Sequence, residues 1–359
     1  MTTADSDEAP VLHRTHGHAG HIVLNRPRAI NALNHAMVGL MDDVLSGWER
    51  DDAIETVVLT GAGARGLCAG GDIRSIHDDV RAGGGSASVA FWRDEYRLNA
   101  RIARFPKPYV AVMDGIVMGG GVGVSAHGSV RIVTERSRIA MPETGIGFVP
   151  DVGGTYLLTR TPGELGTHLA LTGSAVGAGD ALLCGLADHY VPSERLPEFT
   201  AALADAEVDE VVARYATAAP EGELAAHREW IDACYAADSV EEIVDRLYDS
   251  GDRAAKETAE TILGKSPTSL KVTLASLRRA RALATLEQVL DQEYRVSATA
   301  IGAPDLVEGV RAQVVDKDRD PQWSPAELAQ VTDADVARHF APRAGDELGL
   351  APEADPRCP

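Results

Sequence analysis

Apolar positions along the first half of this chain follow two rhythms. Over residues 36–48 they fall at Met37, Leu40, Met41, Val44, Leu45 and Trp48, the spacing of a helix with one apolar face. Residues 91–105 read the same way and stop before Pro106-Lys107-Pro108, which cannot continue a helix. Short continuous apolar runs read instead as buried strands, at residues 56–60 (TVVLT), 109–112 and 130–133. Residues 11–24 predict a strand, a turn marked by Gly17 and Gly20, and a second strand. Residues 81–88 (RAGGGSAS) read as a flexible connector, mobile when no ligand is bound. From 198 to 300 the pattern is almost purely helical. Strands alternating with helices predict an α/β class. The composition shifts near residues 192–197, which divides the chain into a core at 11–197 and a helical region at 198–342. The polar, proline-rich residues 343–359 are expected to be a frayed tail.

Three glycine-rich segments interrupt these rhythms. Residues 141–156, MPETGIGFVPDVGGTY, hold Glu143 and Asp151 in an otherwise uncharged stretch. Five glycines and prolines between Gly145 and Gly154 exclude one long helix there. A carboxylate in apolar, tightly turned backbone is costly, and its pKa can rise toward neutrality, which suits acid/base or nucleophilic work. Helix capping and pairing with arginine are the structural alternatives. Residues 113–123, MDGIVMGGGVG, place Gly119, Gly120 and Gly121 at the start of a predicted helix, where a ligand can approach the backbone. Residues 68–74, CAGGDIR, follow the TVVLT strand, and Gly70 and Gly71 again expose N–H groups. Two such donors converging on one carbonyl oxygen would form an oxyanion hole. Neither segment fits the dinucleotide fingerprint or the phosphate loop.

The formal net charge of −20 argues against nucleic acid or an anionic membrane surface as a partner. Cys68, Cys184, Cys234 and Cys358 lack metal-like spacing and read as reduced thiols. Cys68 lies beside the glycine pair, but no adjacent group would activate it, so it reads as a small buried residue. His13, His16, His18 and His21 read as a solvated strand and loop, and no metal site is expected. The acidic opening MTTADSDEAP has neither the basic nor the apolar part of a signal peptide, and no run of about 18 apolar residues is present. A cytoplasmic protein is the expectation.

Together these segments resemble the crotonase, or enoyl-CoA hydratase/isomerase, superfamily. Leu24-Asn25-Arg26-Pro27, Asn31-Ala32-Leu33, Ala69-Gly70-Gly71-Asp72-Ile73 and Gly119-Gly120-Gly121 carry the likeness. Phe91 to Tyr96 (FWRDEY), Met141-Pro142-Glu143-Thr144, Phe148 to Gly154 (FVPDVGG) and Gln292-Glu293-Tyr294-Arg295 are similar to the branch that hydrolyses 3-hydroxyisobutyryl-CoA. The resemblance implies a β-β-α superhelical core followed by a mostly helical C-terminal region. It implies an acyl-CoA substrate, no separate cofactor, and an oligomeric state left open between monomer and homo-oligomer. It places the backbone N–H groups of Gly71 and Gly120 in the oxyanion hole, Glu143 as the main catalytic acid, Asp151 as the second acid of the hydrolases, and Glu95 as a substrate contact. Asp72, Ile73, Arg74 and Arg26 are further candidates for substrate binding. With Arg28 and Lys271, the two arginines are also candidates for offsetting the charge of coenzyme A. Gly123 departs from the hydratases, which carry a second glutamate there. The implied reaction is thioester hydrolysis to 3-hydroxyisobutyrate and free CoA, in valine breakdown. Enoyl-CoA isomerisation or hydration, hydrolysis of 3-hydroxypropionyl-CoA, and a catalytically silent acyl-CoA binder are the alternatives.

Overall fold

The protein is described by a computed structural model over residues 9–351. The chain enters as an antiparallel hairpin, β1 (Val11–His16) and β2 (Ala19–Leu24), followed by α1 (His35–Glu49). Asn34 caps α1 by accepting from Met37 N, and Met37, Val38, Met41, Leu45 and Trp48 form its buried face. Three turns of a β-β-α spiral follow. The first is β3 (Thr56–Gly61), β4 (Gly66–Cys68), then α2 (Ile73–Gly83) and α3 (Ser86–Ala103). The second is β5 (Tyr109–Met113), β6 (Ile116–Met118) and α4 (Gly120–Ser125). The third is β7 (Val130–Val133), β8 (Arg138–Ala140), a short 3-10 helix at Glu143–Ile146 and α5 (Gly154–Leu158). After α6 (Leu165–Thr172) and α7 (Ala178–Leu183), β9 (His189–Tyr190) closes a six-stranded sheet of order β1-β2-β3-β5-β7-β9. The second strands of each turn form a separate parallel sheet, β4-β6-β8.

The period of two along a strand sorts the side chains of the larger sheet. Val57, Leu59, Tyr109, Ala111, Met113 and Val133 enter the main core, which also receives α1 and α3. Val58, Val110, Val112 and Ile132 point the other way, toward Phe199, Leu203, Val208 and Val211. Those four belong to α8 (Leu196–Ala202), α9 (Val208–Tyr215) and the link between them. The rest is helical: α10 (Leu224–Tyr235), α11 (Val240–Asp249), α12 (Arg253–Leu263), α13 (Pro267–Ala280), α14 (Leu286–Ala300) and α15 (Pro304–Val310). α14 packs on α3, and both contribute to the main core.

Two expectations are corrected. Residues 81–88 are not a flexible connector. Only Gly84 and Gly85 stand between α2 and α3, both at positive φ (87° and 85°), and they turn the chain through a tight elbow. Asp79 fastens the elbow by accepting from Ser88 N and Oγ at 2.8 and 2.7 Å. Residues 343–351 are not frayed either. Leu348 is buried, Arg93 pairs with Asp346, and Arg295 pairs with Glu347 at 2.7 Å. Asp291 of α14 accepts from the N–H groups of Leu350 and Ala351. The tail's polarity serves partners on α3 and α14. Residues 352–359, with Cys358, lie outside the described residues.

Candidate active site

The glycine segments and the acidic segment meet where the spiral's turns stack. A cavity of about 290 Å³ is lined there by Gly70, Gly71, Gly119, Gly120, Glu95, Glu143 and Asp151, with Ile73, Trp92 and Phe148 among its apolar walls. The two glycine loops touch. A Cβ placed on Gly120 would lie 3.3 Å from Gly71 N and 2.5 Å from Glu95 Oε1. Among the described residues, neither the Gly71 nor the Gly120 N–H is engaged by another group. Gly71 lies in the bridge to Leu33, where Leu33 N donates to Gly70 O and Asp72 N donates to Leu33 O, leaving the intervening N–H unused. Gly120 opens α4, so its N–H has no partner within the helix.

Three carboxyls surround this pair of donors. Glu143 opens the 3-10 helix after β8, and a Cβ on Gly119 would lie 2.8 Å from its Oε1. Its Oε2 is buried without a partner, as is Oε1 of Glu95 on α3. Burial first, and then the charge of Asp151, raise both glutamates well above the usual carboxylate range. Asp151 follows Pro150, and burial pushes its pKa up to about 7. The Tyr96 hydroxyl opposes that rise by donating to Asp151 Oδ2 at 2.7 Å, and it lies 2.7 Å from Ser297 Oγ of α14. Unpartnered buried oxygens of this kind are expensive in a resting protein and point to a ligand that supplies donors.

The remaining candidates divide. Ile73 lines the cavity. Asp72 caps α2 by accepting from Ser75 N and pairs with Arg26 at 2.9 Å, so both serve the loop that carries Gly71. Arg74 donates to Val314 O, and Lys271 pairs with Glu241 at 2.6 Å; neither lines the cavity, nor does Arg28. The cation that does line it is Lys265, just before α13, which has no carboxylate partner among the described residues. Burial lowers its pKa. The Cys68 thiol is pushed up to about 12 by burial, which rules it out as a nucleophile near neutral pH.

Gly123 is closed off by packing. A Cβ there would meet Val152 Cβ at 2.7 Å and Asn99 Nδ2 at 2.8 Å. Sequence reading did not single out Tyr96 or Glu293, although both lay in quoted motifs. The signal was present: Glu293 falls on the apolar stripe of α14 formed by Leu286, Val289, Leu290, Val296 and Ala300. A carboxylate on a buried stripe needs partners, and Glu293 has three, from Gly153 N at 2.6 Å, Thr155 N at 2.9 Å and Thr155 Oγ1 at 2.6 Å. Burial raises it to about 8 against those donors.

Two unengaged N–H groups beside buried carboxyls, reached through a spiral of β-β-α turns, define an acyl-transfer or acyl-activation site of the crotonase type. The chain belongs to the enoyl-CoA hydratase/isomerase family, whose profile matches residues 19–340. Among curated proteins it is 42% identical over 346 residues to the mitochondrial 3-hydroxyisobutyryl-CoA hydrolase of Rattus norvegicus, covering 93% of this chain and 89% of that protein. It is 41% identical over 349 residues to the Homo sapiens protein of the same name, covering 94% and 90%. Among solved structures, a carnitinyl-CoA dehydratase from Mycobacterium thermoresistibile is 53% identical with a TM-score of 0.92, covering 95% of this chain and 98% of that one. An enoyl-CoA hydratase from Rhodobacter sphaeroides 2.4.1 is 44% identical with a TM-score of 0.89, covering 95% and 99%.

Proposed function

We propose that this protein hydrolyses 3-hydroxyisobutyryl-CoA to 3-hydroxyisobutyrate and free CoA. The observation that carries this reading is the cavity in which Gly71 and Gly120 present unused N–H groups to the same space as Glu143 and Asp151. Full-length likeness to hydrolases of that name supports it. The thioester oxygen sits between the two N–H groups, which stabilise the negative charge that develops there; losing one such donor costs ~10²–10³ in rate in other enzymes. Glu143 acts either as nucleophile or as base. In the first case its oxygen bonds to the acyl carbon, the C–S bond breaks, CoA leaves as thiolate and water opens the resulting anhydride. In the second it takes a proton from water, whose oxygen bonds to the acyl carbon before the C–S bond breaks. Asp151 orients the water or the 3-hydroxyl, and Glu95 holds the hydroxyl through its unpartnered Oε1. A 3-hydroxyl filling that place selects against plain acyl-CoA, since an unfilled buried acceptor is costly. The substrate's chemistry fits the breakdown of valine.

Reversible hydration is the second reading, favoured by the names of the two similar structures. It calls for a second acid where Gly123 stands, and Val152 and Asn99 close that place. The pure protein, incubated with 3-hydroxyisobutyryl-, 3-hydroxypropionyl- and crotonyl-CoA, should release thiol from the first two and hydrate the third little. Glu143→Gln should lower kcat by ~10²–10⁴ while acyl-CoA binding remains measurable. Fast hydration of crotonyl-CoA without thiol release would replace this reading with the second.

A further inference from the structure

Asp151 is followed by a turn that a chain does not adopt unaided. Val152 has φ 54° and Gly153 φ 77°. A positive φ at a β-branched residue is a true outlier and persists only where the surroundings impose it. Here the imposed conformation is held from two sides. His127 Nε2 donates to Val152 O at 2.7 Å. Glu293 reaches from α14 and accepts from Gly153 N at 2.6 Å and from both Thr155 N and Thr155 Oγ1, at 2.9 and 2.6 Å. The carboxylate is buried, and all three of its partners lie within four residues of Asp151. One helical turn later, Ser297 of the same helix is 2.7 Å from the Tyr96 hydroxyl that donates to Asp151. α14 therefore fixes Asp151 twice, through the backbone that follows it and through its own carboxylate.

We propose that Glu293 is a positioning residue for thioester hydrolysis, holding the strained Val152 turn so that the Asp151 carboxyl points into the cavity. The inference rests on the hydrolase reading. Its geometry predicts an effect on turnover rather than on acyl-CoA affinity, because Glu293 does not line the cavity. Glu293→Gln keeps the size of the side chain but turns an N–H₂ group toward an N–H donor, which breaks part of the grip.

The experiment is a double-mutant cycle read in kcat and KM with 3-hydroxyisobutyryl-CoA. Glu293→Gln should lower kcat ~10–100-fold with KM changed less than ~3-fold. In an Asp151→Asn background the same change should cost little more, since a residue acting only through Asp151 has nothing left to position. Thr155→Val removes one hydroxyl donor to Glu293 and should lower kcat ~3–10-fold with the same loss of effect in the Asp151→Asn background. It carries the test if Glu293→Gln does not fold. Glu287→Gln on the same helix, which breaks an ion pair with Arg104, should leave kcat unchanged. A folded Glu293→Gln protein with wild-type kcat overturns the proposal, as do losses that multiply fully with Asp151→Asn. Absence of thiol release by the wild type overturns the hydrolase reading itself, which separates the two failures.

Discussion

At the scale of single residues, the site concentrates carboxyls where water is scarce. Asp151 shows what this costs. An exposed aspartate titrates near ~3.9, whereas burial pushes Asp151 up to about 7. Between those values the folded protein holds a proton at Asp151 that the unfolded chain has released. The folded state binds more protons there, so stability falls as pH rises through the window, and above about 7 both states are ionised and the loss is complete. Urea denaturation of the wild type should therefore show a midpoint that declines from about pH 5 to about pH 7.5. Asp151→Asn should remove part of that decline; Glu293, raised to about 8, retains its own share. A variant curve running parallel to the wild type would mean that Asp151 is not desolvated in the folded state.

At the scale of elements, close approach decides what can change. The β4–α2 loop and the start of α4 are in contact through glycines, and Gly120 has no room for a methyl group beside Glu95, Leu33 and Gly71. Gly120→Ala should therefore suffice to lower kcat/KM by ~10²-fold or more, the scale of a lost oxyanion donor. A circular-dichroism spectrum like that of the wild type would separate this from unfolding, and a folded Gly120→Ala enzyme at full rate would remove Gly120 from the oxyanion hole. The same closeness explains what was legible in the sequence. β3, β5, β7 and α1 are declared by apolar runs and three-and-four spacing, because each buries a continuous face. The acids and glycines of the site were legible because their residue types are costly where they stand. The elbow at Gly84-Gly85 and the packed segment 343–351 were not, because local polarity reads as solvent exposure unless the distant partner is known. Asp79, Arg93, Arg295 and Asp291 are those partners, two of them about two hundred residues away from the segment they hold or near its end. Asp151 was visible as a motif, whereas its supports Tyr96, His127 and Glu293 come together only through the fold.

At the scale of the whole molecule, a protein of net charge −20 is to take a polyanionic coenzyme A ester. The repulsion is long-ranged but screened within ~8–10 Å at moderate salt, so a local cation can outweigh it. Of the basic residues singled out in the sequence, Arg26 and Lys271 are committed to Asp72 and Glu241. Lys265 is different: it lines the cavity beside Gly145, is half-buried, and is held by no carboxylate among the described residues. A charge-assisted hydrogen bond in such a place contributes ~1.5–3 kcal/mol, about 10–100-fold in affinity. Lys265→Ala should accordingly raise KM for 3-hydroxyisobutyryl-CoA by about that factor and change kcat little, since the reacting carbonyl lies with Gly71 and Gly120. A truncated N-acetylcysteamine thioester of the same acid lacks the phosphates of coenzyme A. Its KM should be high for the wild type and unchanged by Lys265→Ala. If the variant weakens both thioesters equally, Lys265 faces the acyl group rather than a phosphate, and the cation that admits coenzyme A to this acidic protein lies elsewhere on its surface.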